Sequence, residues 1–276
     1  MSKLGRIVAE GMLREGTPVE DYREEYGLWV KREDLACPFP GPPFSKTRGV
    51  YARVKSRPER IIGALDTYHS QAGWAVARAC QILGKKCIDF YPVYKHDWAM
   101  REPQLKAQSL GAELAGLPAG RSCILYHAAK KRMEELGGYM MPNALKLEES
   151  VVETAKEVPA SRRFDQVIIP ASSGTIAAGV IAGFLAKYPW IVRPTFIIHL
   201  GYSRSHDQVL RYLRDKTGIS GLFVAVVDEK YSYKDKAKGA EKPPWPCNEY
   251  YDLKAFQWWL RSRREWKGAT LFWNIG

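Results

Sequence analysis

The chain has 276 residues, 46% of them hydrophobic and 26% charged, which suits a globular protein of one or two domains with a sizeable core. No apolar run reaches the ~20 residues that span a bilayer. Met1-Ser2-Lys3-Leu4-Gly5-Arg6 is followed by no signal-peptide apolar block, so a cytoplasmic location without a membrane partner is expected.

The formal net charge is +12. That balance suits a polyanionic partner, most naturally nucleic acid, as well as a merely basic, soluble surface. Basic residues cluster at 48–60, 130–132, 230–242 and 261–267. The five cysteines (Cys37, Cys80, Cys87, Cys123, Cys247) form no Cys-x-x-Cys pair, so neither a disulfide framework nor a zinc site is indicated. None of His69, His96, His127, His199 and His206 has metal-ligand spacing to another, and no metal is expected.

Residues 1–27 are polar and read as a short helix and a turn. Leu28-Trp29-Val30 is strand-like and leads through Lys31-Arg32-Glu33-Asp34-Leu35 into a Pro/Gly-rich turn, after which Phe44-Ser45-Lys46-Thr47-Arg48 opens a helix over 47–55. A buried-strand pattern at 61–65 ends at Asp66-Thr67. An alanine-rich helix over 70–83 stops at Gly84, and a strand follows at 87–92. Helices are predicted at 104–110, 124–136 and 147–158. Strands at 167–170, 195–200, 222–227 and 269–273 then alternate with helices at 176–187, 207–216 and 253–264. Residues 230–245 carry lysines, glycine and prolines and read as an exposed loop or flexible insert. There is no internal repeat or low-complexity segment. Strands alternating with helices predict an α/β fold with parallel sheets.

Three stretches carry chemistry. Lys46 stands where a helix begins, and a helix N-terminus disfavours an ammonium group, which lowers an amine's pKa toward nucleophilic use. The bland alternative is a solvated lysine beside a loop. In Ile169-Pro170-Ala171-Ser172-Ser173-Gly174-Thr175 a strand enters a loop of small and hydroxyl residues that opens a helix, the makings of a phosphate cradle. It lacks both the Gly-x-Gly-x-x-Gly spacing and a P-loop lysine, so neither a dinucleotide nor ATP is indicated. Thr67-Tyr68-His69-Ser70-Gln71-Ala72-Gly73 gathers polar groups where a strand ends and a helix starts, the usual ligand position in open α/β sheets. Alone, His69 reads as a loop residue and Gln71 as a cap.

Together these stretches resemble the fold type II pyridoxal-phosphate enzymes of the tryptophan synthase β type, nearest the branch of aminocyclopropane-carboxylate deaminase and D-cysteine desulfhydrase. Lys31-Arg32-Glu33-Asp34-Leu35 is similar to that branch's Lys-Arg-Glu-Asp-Leu run, and the matches keep family order from residue 28 onward. The resemblance implies two parallel-type α/β domains with pyridoxal 5'-phosphate in the cleft between them. Residues 1–45 and 159–276 form the large cofactor-binding domain and 46–158 the small one. Lys46 is then the Schiff-base lysine and general acid/base. Ser70 and Gln71, with His69, meet the cofactor's 3-hydroxyl and the substrate carboxylate. Ser172, Ser173, Gly174 and Thr175 hold the phosphate, and Asn274 lies near the pyridine nitrogen. Ala171 and Ser173 stand where the family commonly has glycines, and Asn274-Ile275-Gly276 replaces the branch's His-Thr-Gly-Gly. Tyr231, Tyr233, Tyr250 and Tyr251 are further candidates for substrate contact.

The resemblance implies a homodimer and a lyase, deaminase or decarboxylase acting at Cα of a free amino acid. The +12 charge and the altered C-terminal motif motivate a second reading, the same chemistry on an amino-acid group attached to a base in hypermodified, virus-type DNA. A third, a non-catalytic protein of this fold, is disfavoured by the intact Lys46.

Overall fold

Alternation of strand and helix is realised throughout the residues that the computed structural model describes, 13–95, 99–160, 162–188, 193–219 and 223–276. The chain opens with β1 (Val19–Tyr22), a single helical turn α1 (Arg23–Tyr26) and β2 (Leu28–Arg32). Next come α2 (Thr47–Ser56), β3 (Ile61–Leu65), α3 (Ala72–Leu83), β4 (Lys86–Val93), α4 (Glu102–Ser109), β5 (Glu113–Pro118), α5 (Ser122–Glu135) and β6 (Tyr139–Met140). The remainder is α6 (Glu148–Lys156), β7 (Gln166–Ala171), α7 (Thr175–Lys187), β8 (Thr195–Leu200), α8 (His206–Thr217), β9 (Val224–Val227), α9 (Asp252–Ser262) and β10 (Thr270–Asn274). Among the described residues no helix is long and apolar enough to cross a membrane.

Two compact units result, one built on Cys37–Ser150 and the other on Arg14–Ala36 with Val151–Gly276. The first holds a four-stranded sheet in the order β5-β4-β3-β6, all pairs parallel. Ile62, Ala64 and Cys87 pack with Val76, Ala79 and Cys80 of α3, while Ile88 and Phe90 pack with Leu125, Ala129 and Met133 of α5. The second unit holds a six-stranded sheet in the order β1-β2-β10-β7-β8-β9, parallel except for β1 against β2. Val167, Ile169, Phe196 and Ile198 face α7, and Ile168, Ile197 and Phe272 face Phe256 and Trp259 of α9. Both faces are covered, which is why these strands read as unbroken apolar runs.

Three readings of the sequence change. Residues 19–22 are not helical but an edge strand, antiparallel to β2, with Val19 opposite Lys31; the short helix of that reading shrinks to Arg23–Tyr26. Residues 1–12 of that expectation, and Leu222 of the expected β9, lie outside the described residues. The strands β5 and β6 were not expected. β5 is an edge strand with most of its side chains outside the core, so it carries no apolar run. Residues 230–245 hold neither helix nor strand, yet Tyr231 and Trp245 are buried, so aromatic anchors pin the segment.

Candidate active site

Lys46 immediately precedes α2, whose first turn is closed by the Thr47 hydroxyl donating to the Phe44 carbonyl at 2.7 Å. The Lys46 side chain is buried and its Nζ donates to the Ala144 carbonyl at 3.0 Å. Burial lowers its pKa to about 7, and the positive charge of Lys146 adds to the shift. The sequence argument gave the right direction by a different cause, since desolvation dominates here. Ala144 and Leu145 hold φ of 58° and 48°, left-handed values that cost a residue with a Cβ about 1 kcal/mol each. That conformation aims a carbonyl at Lys46. Nothing in the sequence beyond Pro142-Asn143 marks it.

His69, Ser70 and Gln71 lie on the loop from β3 to α3, and α3 packs against α2 within the same unit. The Ser70 hydroxyl accepts from the Ala72 N–H at 3.1 Å. Gln71 directly precedes α3, and its Oε1 is buried with no hydrogen-bond partner among the described residues. His69 is buried and sits edge-on to Tyr68 at 6.2 Å.

The other predicted residues belong to the second unit. β7 ends at Ala171, and Ser172, Ser173 and Gly174 lead into α7. Gly174 directly precedes the helix at φ 84°, and a Cβ there would lie 3.1 Å from Tyr212 Cδ1. The Ser173 and Thr175 hydroxyls are 3.0 Å apart, and the Tyr212 hydroxyl donates to Thr175 at 3.5 Å. The sequence did not reveal that Arg204 reaches the Ser172 carbonyl, or that the phenol of the half-buried Tyr251 is hydrogen-bonded to the Ser172 and Tyr233 side chains. Gly174→Ala is expected to cost about 1–2 kcal/mol in urea unfolding, from the left-handed backbone. It is also expected to weaken pyridoxal phosphate binding in an absorbance titration.

Asn274 is fully buried, and its side chain is committed within the protein. Its Nδ2 donates to Asp34 at 2.8 Å and to the Pro246 carbonyl at 2.9 Å, and its Oδ1 accepts from Cys247 Sγ at 3.5 Å. Beside it stands a group the sequence reading overlooked. Asp252, at the start of α9, is fully buried and accepts from the Ile275 N–H at 2.7 Å, while its Oδ2 has no partner among the described residues. Burial raises its pKa to about 7; the Ile275 N–H pulls it down and the Asp34 charge pushes it up.

These features fit pyridoxal phosphate. In the first unit a buried amine that is partly neutral at pH 7 suits covalent attachment; in the second, the loop before α7 offers hydroxyl and N–H donors to a phosphate, and the Asp252 carboxyl lies buried next to the end of β10. Such a carboxylate can hold a protonated ring nitrogen.

No family model matches the sequence. The chain is 46% identical over 280 residues to the "Glycyl-dTMP PLP-dependent decarboxylase" of Pseudomonas phage M6, covering 96% of this chain and all of that protein. In structure it is similar to an ACC deaminase homologue, with a TM-score of 0.76 at 19% identity over 100% of this chain and 95% of that one. It is also similar to the diaminopropionate ammonia lyase of Escherichia coli, with a TM-score of 0.68 at 14% identity over 99% and 86%.

Proposed function

Because the chain belongs to the family of the phage M6 decarboxylase, within the fold type II pyridoxal-phosphate enzymes, we propose that it releases CO2 from an amino-acid group carried on a thymine nucleotide. It is a pyridoxal-phosphate-dependent enzyme of the lyase type. The observation that carries the substrate is the 46% identity, over nearly the whole chain, to a relative whose name specifies glycyl-dTMP.

Decarboxylation breaks the bond from Cα to the carboxyl carbon and leaves its electron pair on Cα. One proton then fills that position, so the products are CO2 and an amine with one more C–H bond. Bound pyridoxal phosphate supplies an electron sink for that pair. Lys46, whose pKa burial lowers to about 7, would hold the cofactor and carry a proton to Cα. Ser172, Ser173, Gly174 and Thr175 grip the phosphate at the start of α7. The buried Asp252 carboxyl would accept from the ring nitrogen, with Asn274, which donates to Asp34, supporting the same corner. Ser70, Gln71 and His69 line the loop where the substrate carboxylate arrives.

The +12 charge favours DNA over a free mononucleotide as the carrier. Lys131 and Arg132 on α5, and Arg264 and Lys267 beyond the end of α9, are exposed and can meet phosphates. That substrate places the enzyme in the cytoplasm with the DNA. Purified holoenzyme is to be offered glycyl-dTMP free and within an oligonucleotide, with CO2 and the product nucleoside followed by mass spectrometry at two salt concentrations. CO2 release from the oligonucleotide that weakens with salt is expected. Turnover of free amino acids alone sinks the nucleotide reading. The homodimer implied by the family resemblance is read from sedimentation of the same preparation.

A further inference from the structure

Two buried carboxyl groups in the unit built on Cys37–Ser150 have no part in the scheme above. Asp66 follows the last residue of β3, and Asp89 lies in β4, in register with Ala64; both are fully buried. Asp66 is rich in donors. Its Oδ1 accepts from the Gly73 N–H at 2.8 Å, its Oδ2 from the Gln104 amide at 3.3 Å, and the Ser70 hydroxyl donates to the same carboxylate. Asp89 has Asp66 as its partner, and neither of its oxygens accepts a hydrogen bond from any other described group. A carboxyl buried without donors and set against a second carboxylate keeps its proton. Asp89 is therefore the neutral member, and the charge the pair bears resides on Asp66, whose own pKa burial raises to about 7. The contact depends on a glycine, since a Cβ at Gly73 would lie 2.3 Å from the Asp89 carboxyl.

The consequence falls on Ser70. Its oxygen already accepts from the Ala72 N–H, and its single proton is directed at Asp66. The Gly73 N–H in the first turn of α3 is engaged by Asp66 as well. A helix start that could hold a substrate carboxylate has two of its donors taken by a carboxyl group of the protein itself.

We propose that Asp66 is a positioning residue that selects decarboxylation. By drawing off the Ser70 proton and the Gly73 N–H, it denies the substrate carboxylate those two donors and sets it beside a second carboxyl group. The inference rests on the preceding reading that this carboxylate arrives at the Ser70-Gln71 loop. Repulsion of that kind is relieved as the carboxylate charge leaves with CO2, so it lowers the barrier to this bond cleavage. Reactions that keep the carboxylate, such as elimination of ammonia, gain nothing from it.

The test uses holoenzyme, the glycyl nucleotide, and two non-reacting probes: its deaminated analogue, which retains the carboxylate, and the decarboxylated amine. In Asp66→Asn the charge is removed and the amide oxygen, a weaker acceptor, loosens its hold on the Ser70 proton. The kcat for CO2 release is expected to fall about a hundredfold, while KM falls and the deaminated analogue binds about tenfold tighter. Affinity for the amine stays unchanged. A structural defect instead raises KM and weakens both probes, which overturns the proposal. Ser70→Ala gives a second test that does not require Asp66→Asn to fold. Affinity for the deaminated analogue is expected to hold within about twofold, because the hydroxyl proton is not offered to it; a loss of about tenfold overturns the proposal. If the parent enzyme releases no CO2 from the glycyl nucleotide, the functional reading itself has failed, and this inference with it. Turnover by the parent enzyme with the wrong response in the variants defeats the inference alone.

Discussion

Lys46→Met is expected to abolish turnover, by about 10⁴-fold, while making the cofactor-free protein more stable. The substitution keeps most of the stem and removes the amine proposed to hold the cofactor and move the proton. The visible band of lysine-linked pyridoxal phosphate disappears with it. The stability effect follows from burial, which lowers the Lys46 pKa from 10.5 to about 7. Between those values the unfolded chain binds a proton that the folded chain has lost, so the stability of the parent protein rises as pH increases from about 7 to about 10.5. Below that window the folded state bears the cost of a buried ammonium, on the order of a few kcal/mol. Lys46→Met removes the cost and flattens the rise. Urea unfolding of cofactor-free parent and variant at pH 6.5 and 10, each value being roughly at one edge of that window, reads both effects. A variant less stable than the parent at the lower pH contradicts this account of Lys46.

Glu157→Leu is expected to be the most damaging single change to the fold, at about 3–5 kcal/mol, with no direct effect on chemistry. Glu157 is buried and receives the Lys31 ammonium at 2.9 Å together with the N–H groups of Gly16 at 2.8 Å and Thr17 at 3.0 Å. Lys31 also donates to the Thr17 carbonyl at 2.5 Å and lies 3.8 Å from Glu33, which accepts from the Thr17 hydroxyl. Removing Glu157 takes from Lys31 its nearest counter-charge and leaves two backbone donors without their acceptor. Adding Lys31→Met to Glu157→Leu recovers part of the loss, because the uncompensated buried ammonium is gone too. Chemical denaturation of the two single variants and the double variant measures the coupling. Additive losses exclude a direct interaction.

This network also explains the Lys-Arg-Glu-Asp-Leu run, which in the sequence is only a mark of resemblance. Lys31 and Glu33 lock onto Thr17 and Glu157. Arg32 grips Asp34 through two bonds of 2.9 and 2.8 Å, and Asp34 accepts from Asn274. The run builds the support behind the end of β10.

The sequence by itself determined the parallel α/β class, the cofactor family, and the places of Lys46 and the loop before α7. Those features are local. Buried parallel strands need unbroken apolar runs such as Val167-Ile168-Ile169, and Gly84 and Gly218 end α3 and α8 in left-handed conformations, at φ of 65° and 68°. Only tertiary structure decided the edge strands β1 and β5, which exist through main-chain pairing with a neighbour and carry no continuous apolar signal. It alone decided the states of Asp66, Asp89 and Asp252. In a sequence an aspartate reads as a solvated charge. Whether it keeps a proton, accepts a hydrogen bond from a serine or takes a backbone N–H depends on which donors the fold brings to it and how completely it excludes water, and those donors come from residues as distant as Gln104 and Ile275.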